Sequence, residues 1–525
     1  MGKYLNPGNA GFQSILKSEY IDKTGLIDYM NSTLGTKQKL TCVSRPRRFG
    51  KSFAAQMLCA YYDKSCDSED LFRKKKIALK PSYHMHLNQY DVLYLDITWF
   101  ISTTFDIKNI LKKLQKSIIK ELKEIYSDAV EEDEEALPIA LADINAKSGT
   151  KFIIIIDEWD ALFREEKDDK ALQEEYVQLL RGLFRSSLTD KMIEAAYMTG
   201  ILPIKKYGNQ SALSDFYEFT MVDPSPLEEY VGFTEEEVRS LCQRSSLNFH
   251  EIQHWYDGYI LGDGLHVYSP KSVLDAVSRK RFGSYWTQTE TYESLKTYIT
   301  MNFDGLKDAI IAMLGGAAYT IDTKTFQNDM TTFHSKDDVL TMLVHLGYLA
   351  YDVSSEQVFI PNQEIKEEFL RAIKNTDSPE LVQVIQRSEQ ILEATLRMDA
   401  EYVARMLDRI HSANSSPQFY NNEQSLRAVI QMAYISRIKD YLEFQELPSG
   451  KGYADIVFLP KKGSDKPLLL VELKWDKSAA GAISQIKKKH YIQVIEDFGG
   501  DILMVGINYN SKNKTHSCII EKYQK

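Results

Sequence analysis

The run Phe152-Ile-Ile-Ile-Ile156, closing on Asp157 and Glu158, constrains the fold more than any other stretch. Five consecutive apolar, mostly β-branched residues leave no polar side for water. Such a strand is covered on both faces, as in the middle of a parallel sheet. The chain around it alternates. Lys39–Val43, Val92–Ile97 and Ile193–Met198 read as strands, and Ser52–Tyr62 and Glu174–Leu188 as helices. Ile107–Ile125 reads as an amphipathic helix with Ile107, Ile110, Leu111, Leu114, Ile118 and Leu122 on one side. This order predicts an α/β parallel sheet with helices on both faces.

The segment Ser44-Arg-Pro-Arg-Arg-Phe-Gly-Lys-Ser52 lies between the first of these strands and the first helix. Its end matches GxxxxGK[ST], with Arg45 where the first glycine stands. In that motif Gly50 lets backbone N–H groups approach phosphate, Lys51 reaches the β- and γ-phosphates, and Ser52 offers its hydroxyl to Mg²⁺. Arg47, Arg48 and Phe49 complete the expected nucleotide-binding loop. Asp157, about 105 residues on, would hold the Mg²⁺ shell, and Glu158 would polarise an attacking water. Thr199, at the end of the next strand, reads either as a sensor of the γ-phosphate or as a simple turn threonine. Arg181 and Arg185, one helical turn apart, read as surface partners of Glu174, Glu175 or Asp190, with an arginine finger as the alternative role for one of them. The acidic run Glu131–Glu135 reads as a solvated helix end or loop.

From Thr234, which forms a capping box with Glu237, short helices dominate. Ser335–Leu346 followed by strands at Gly347–Val353 and Val358–Pro361 has a winged-helix outline. Further on, two apolar runs, Gly452–Leu459 and Leu468–Lys474, flank a turn-rich loop. If that hairpin is symmetric, Asp455 stands opposite Glu472 on one face, with Lys474 on the same face. Two facing carboxylates are unfavourable without a counter-charge. A divalent cation or Lys474 would supply it, and the trio suits hydrolysis of a phosphodiester.

Tyr20-Ile-Asp-Lys-Thr24, the RPRRFGKS segment and Met198-Thr-Gly-Ile-Leu202 resemble the AAA-ATPase-like family often fused to a PD-(D/E)XK nuclease-like domain. Trp255-Tyr-Asp-Gly-Tyr259 and Val267-Tyr-Ser-Pro-Lys-Ser-Val273 resemble the segment after the ATPase core, although the aromatic cluster reads as a packed turn. Arg45 is typical of that family. The D…ExK hairpin resembles the nuclease motif, with Ala454 in place of its usual proline. The resemblance implies a nucleotide near Asp22-Lys23-Thr24. It also gives Glu423, on an expected helix Asn421–Ile435, as a further metal ligand, and Gln485, on the helix Ala479–Ile495 with Tyr491, as a residue orienting the scissile phosphate. The role of Glu446 is open.

The implied architecture is a P-loop NTPase parallel sheet over residues 1–225, a helical, winged-helix-like middle over 226–377 and a restriction-endonuclease-like α/β domain over 378–525. Net charge supports the last assignment. Residues 421–525 hold 16 Lys+Arg against 12 Asp+Glu, a net of +4, while the other 420 residues carry −14. Lys461, Lys462, Lys466 and Lys487–Lys489 would suit a polyphosphate chain. No apolar run reaches the roughly 20 residues of a membrane span, and the start carries no signal-peptide pattern. Five scattered cysteines without CxxC spacing predict free thiols and a reducing, cytoplasmic setting.

The expected function is ATP binding that couples nucleotide state to Mg²⁺-dependent cleavage of nucleic acid, DNA ahead of RNA. A homo-oligomer is compatible with it. The competing expectation is a nucleotide-driven switch or scaffold whose nuclease-like domain binds nucleic acid or a partner without cutting.

Overall fold

The computed structural model describes residues 2–204, 206–207, 210–211, 213–286, 291–376, 378–413, 423–449, 452–461, 463–488 and 500–523. The chain forms two compact units, and they are interleaved. Met1–Trp286 and Thr320–Pro361 make the first; Thr287–Tyr319 and Asn362–Lys525 make the second. Residues 226–377, read above as one middle region, are therefore shared between the units.

The main sheet of the first unit and the helices used below are β1 (Leu40–Ser44), α1 (Lys51–Tyr62), β2 (Asp91–Asp96), α2 (Ile110–Ile125), β3 (Phe152–Asp157), α3 (Lys170–Phe184), β4 (Ile193–Gly200) and β5 (Tyr217–Phe219). The five strands form one parallel sheet in the order β2-β3-β4-β1-β5. As its sequence requires, β3 is interior and wholly buried. Phe152, Ile154 and Ile156 join the core built with α2 and α3, while α1 packs against the same sheet. Two helices differ from expectation. Ile107–Asn109 is a 3₁₀ turn before α2. α3 starts and ends about four residues early, because the Asp169 carboxylate accepts the Leu172 amide at 3.0 Å and the Thr189 hydroxyl closes the far end on the Leu183 carbonyl at 3.1 Å. The acidic run lies in the loop after α2, largely exposed.

The same unit continues with β6 (Phe233–Thr234), α4 (Glu235–Ser245), α5 (Phe249–Tyr256), β7 (Tyr259–Leu261) and β8 (Leu265–Tyr268), a small sheet in the order β6-β8-β7. The Thr234–Glu237 capping box is present. α6 (Lys336–Leu346) and the antiparallel hairpin β9 (Ala350–Asp352) and β10 (Gln357–Phe359) give the helix-plus-hairpin outline. Gly347, at φ +86°, sits between them, and a Cβ there would lie 2.7 Å from Pro46 of the phosphate-binding loop. The aromatic turn is packed as expected: Trp255, Tyr256 and Tyr259 are buried, and the Tyr259 hydroxyl donates to the Gly347 carbonyl at 2.7 Å.

In the second unit α7 (Pro379–Leu396), α8 (Ala400–Ala413) and α9 (Glu423–Ala433) precede β11 (Tyr441–Ser449), β12 (Gly452–Pro460), β13 (Leu468–Trp475), α10 (Ala479–Lys488), β14 (Ile502–Asn510) and β15 (Thr515–Lys522). The strands lie side by side in chain order. Every step is antiparallel except β13–β14, where α10 makes the crossover. One face packs with α7–α9 and the other with α10. All five cysteines are free. Among the described residues no helix is long and apolar enough to cross a membrane.

Candidate nucleotide and carboxylate sites

The first site lies at the carboxyl ends of β1, β4 and β3, where open α/β sheets receive ligands. Gly50, at φ +92°, caps α1 and has open space where a Cβ would stand. Lys51 opens the helix. Its Nζ donates to the Pro46 carbonyl at 3.0 Å and lies 3.6 Å from Glu158 Oε1. Ser52 is exposed and hydrogen-bonds Asp157. Burial pushes the Asp157 carboxyl up to about 6, against the pull of that hydrogen bond. Burial would also raise Glu158, but Lys51, Arg164 and Arg47 outweigh it and hold Glu158 below the ordinary carboxylate range.

A cavity of about 290 Å³ opens over this loop. Arg48, Phe49, Gly50, Lys51, Ser52 and Glu158 line its phosphate-binding end, and Tyr20, Ile21, Met57, Tyr230, Phe233 and Leu274 its apolar end. Lys23 also lines it, with Nζ on the Glu229 carbonyl at 2.6 Å and the Glu237 carboxylate at 2.5 Å. Its neighbours are structural: Asp22 accepts from the Thr24 hydroxyl at 2.7 Å and the Lys76 amide at 2.8 Å. Arg47 is absent from the cavity lining; its carbonyl accepts the Trp286 indole N–H at 3.4 Å. Thr199 pairs in register with Asp157 on one side and Val43 on the other, and its buried hydroxyl donates to the Val43 carbonyl at 3.1 Å.

Sequence reasoning missed two residues here, Arg164 and Asp160, and the contacts of a third, Arg45. Arg164 joins Glu158 to Asp160, with its Nε 3.0 Å from the Asp160 carboxylate. Asp160 in turn accepts the amides of Ile201 and Leu202 at 3.1 and 2.8 Å, fixing the turn after Thr199. Arg45 is fully buried, and its Nη1 donates to the carbonyls of Ser44, Phe219 and Thr220 at 2.9–3.0 Å. The arginine that replaces glycine therefore ties the end of β1 to the end of β5. Of the surface pairings, Arg181 meets Glu174 at 3.4 Å as expected, whereas Arg185 lies 4.0 Å from Asp215 rather than beside Asp190.

The second site lies on the α10 face of the second sheet. β12 and β13 pair as Ile456 with Val471, Val457 with Leu470 and Phe458 with Leu469. One step further in that register stands Asp455 opposite Glu472, as the symmetric hairpin requires. Asp455 Oδ2 accepts the Leu473 amide at 2.8 Å, and its Oδ1 faces Arg427 of α9 at 3.5 Å. Glu472 is fully buried; its Oε1 accepts from Lys474 Nζ at 3.0 Å and from the Gln485 amide of α10. Asp455, Glu472, Lys474 and Gln485 thus come together, and Arg427 joins them unforeseen. The signal for it was available, since Arg427 lies one helical turn after Glu423.

Glu423 opens α9, and Glu446 lies in β11; their side chains, with Lys462, Lys489 and Tyr491, lie outside the described residues. Three of the basic residues are engaged by acids: Lys461 with Glu367, Lys466 with Asp440 and Lys487 with Glu521, at 2.5–2.6 Å.

Two carboxylates beside a serine hydroxyl at the first site, and two on neighbouring strands at the second, are the oxygen donors that a hard divalent cation takes. Residues 8–208 match the family model of the predicted AAA-ATPases, and residues 421–518 match that of the PD-(D/E)XK nuclease superfamily. No curated protein matches the chain. Among solved structures, C. elegans PCH-2 is similar at 14% identity and a TM-score of 0.22, over 64% of this chain and 70% of that one. The Aeropyrum pernix ORC2 protein, solved as ADPNP–ADP complexes, is similar at 13% identity and a TM-score of 0.24, over 67% and 93%. This polypeptide therefore joins an AAA-ATPase-like domain to a C-terminal domain of the PD-(D/E)XK nuclease superfamily.

Proposed function

We propose that the protein binds ATP in the first unit and, according to nucleotide state, hydrolyses phosphodiester bonds of nucleic acid, DNA before RNA, in the second. The observation that carries this reading is the presence of two sets in one chain: Lys51, Ser52 and Glu158 around one cavity with Asp157 bonded to Ser52, and Asp455, Glu472, Lys474 and Gln485 on one sheet face. The coupling rests on the interleaving, since the backbone passes between the units three times, after residues 286, 319 and 361.

In the first unit Gly50 and Lys51 bind the phosphates and Glu158, kept ionised, orients water, while Thr199 is occupied by the Val43 carbonyl at the end of β1. Ser52 and Asp157 would hold Mg²⁺ there. In the second, Asp455 and Glu472 would hold Mg²⁺, with Glu423 as a further ligand. Lys474 positions the attacking water, and Gln485 orients the scissile phosphate. Mg²⁺ supplies charge neutralisation on phosphate oxygens and a more acidic bound water.

The test is digestion of linear DNA and RNA by the full chain with Mg²⁺, with and without ATP or a non-hydrolysable analogue. Cleavage that is lost in Glu472→Ala or Lys474→Ala and changes with nucleotide supports the reading; Mg²⁺-dependent cleavage undiminished in the double variant overturns the site assignment. One observation favours the binding-only alternative. Arg427, Lys474 and Gln485 already meet the carboxylates with positive or N–H donors. Nucleic-acid binding without turnover in the same assay would select that reading.

A further inference from the structure

Away from both sites, three potential ligands meet beside the small sheet of the first unit. Glu235 is the first residue of α4, Asp257 follows the last turn of α5, and His266 lies on β8. One ligand atom from each lies within 4.8 Å of the other two. His266 Nδ1 is 2.9 and 3.0 Å from the two Asp257 oxygens. The Asp257 Oδ1 atom also accepts the Gly258 amide at 2.7 Å, which fixes the carboxylate. Glu235 Oε1 is gripped by Arg239 at 2.7 and 2.9 Å, leaving Oε2 only a 3.5 Å contact with Gln253.

Tyr268, two residues after His266 on β8, is fully buried, and its hydroxyl lies against the Asp257 carboxylate, a further contact that holds this ligand in place.

We propose that Glu235, Asp257 and His266 bind a divalent transition-metal ion of the Zn²⁺ class. One imidazole and two carboxylates form a mixed N/O set, which suits Zn²⁺, Co²⁺ or Mn²⁺; Mg²⁺ takes oxygen ligands. Closing the three ligand atoms onto one ion asks for shifts of on the order of 1 Å. The side chain of His266 is 41% exposed, so the ion has a way in from solvent. Once bound, it would pin α4, α5 and β8 together. Those segments adjoin Phe233 and Pro270, which line the nucleotide cavity. The site is separate from the two proposed Mg²⁺ positions and stands whether or not they do.

The test is titration of the chelator-treated full chain with Zn²⁺, and with Co²⁺ followed by its visible absorption. Wild type, His266→Ala, Glu235→Gln, Asp157→Asn and Asp455→Asn are compared, with circular dichroism to verify folding. The expected result is one Zn²⁺ equivalent that raises Tm by on the order of 5 °C. Its affinity should fall at least about tenfold in His266→Ala and in Glu235→Gln and hold in the two aspartate variants. Zn²⁺ that binds folded His266→Ala as tightly as wild type, Zn²⁺ lost instead in Asp157→Asn or Asp455→Asn, or no Zn²⁺ bound by wild type would each overturn the proposal. In the last case the cluster is a His266–Asp257 hydrogen-bonded pair only.

Discussion

Lys51 Nζ stands 3.6 Å from Glu158 Oε1, so the cation that would meet a phosphate is already paired with the acid that would activate water. The two roles can be separated by substitution. Lys51→Ala should weaken ATP binding by about two orders of magnitude. Glu158→Gln keeps the shape and removes the base, so it should bind ATP and lose at least about a hundredfold in turnover. Fluorescent-nucleotide titration beside phosphate release distinguishes the two. Equal loss of binding in both variants would argue against a base role for Glu158.

Arg45 invites the reverse of the usual mutation. Restoring the standard motif with Arg45→Gly removes the donor shared by the carbonyls of Ser44, Phe219 and Thr220. Burial draws this guanidinium down to about 10, so its desolvation offsets part of the gain. A net loss of about 2–4 kcal/mol is expected, read by thermal denaturation. A variant as stable as wild type would show that the three carbonyls find other donors.

At the second site Arg427 faces Asp455 Oδ1. Arg427→Gln should leave the hairpin folded, because Asp455 keeps its bond to the Leu473 amide. Removing the competing cation should raise Mn²⁺ affinity at Asp455 about tenfold, measured by electron paramagnetic resonance. Unchanged Mn²⁺ affinity would place Arg427 outside the electrostatics of the site.

His516 predicts a pH dependence on the opposite face of that sheet. It is packed between Asp408 at 2.8 Å and His411 at 3.2 Å, against the ring of Tyr509. Burial draws its imidazole down to about 4; Asp408 opposes that shift and His411 adds to it. The unfolded chain therefore takes up a proton near pH 6.5 that the folded chain refuses until about pH 4. Stability is full above the higher value and falls through that window by up to about 3 kcal/mol. His516→Gln should flatten this part of the profile of Tm against pH.

The legible parts of this protein were local ones. The β3 run announced a buried strand because its composition leaves no alternative, and the GKS segment announced a helix start because Gly50 and Lys51 are needed there. The hairpin register could be read because turn residues mark its centre, and symmetry does the rest. β11 could not be read: Glu443, Gln445, Glu446 and Pro448 break any alternation, and the strand is held by its pairing with β12. The roles of Arg45 and Asp160 escaped for another reason: each acts through backbone that only the folded sheet brings near. Arg164 was partly legible, since it follows Asp160 by one helical turn, but its pairing with Glu158 was not.

The three passages of the backbone between the units have a consequence for how such a protein can be taken apart or assembled in descent. A fragment ending at residue 286 lacks α6 and its hairpin, and a fragment beginning at residue 362 lacks residues 287–319. A stop codon after residue 361 leaves the first unit whole but still carrying residues 287–319 of the second, so no single cut of the gene yields either unit whole and alone. The two family matches, at 8–208 and 421–518, fall on either side of this shared middle.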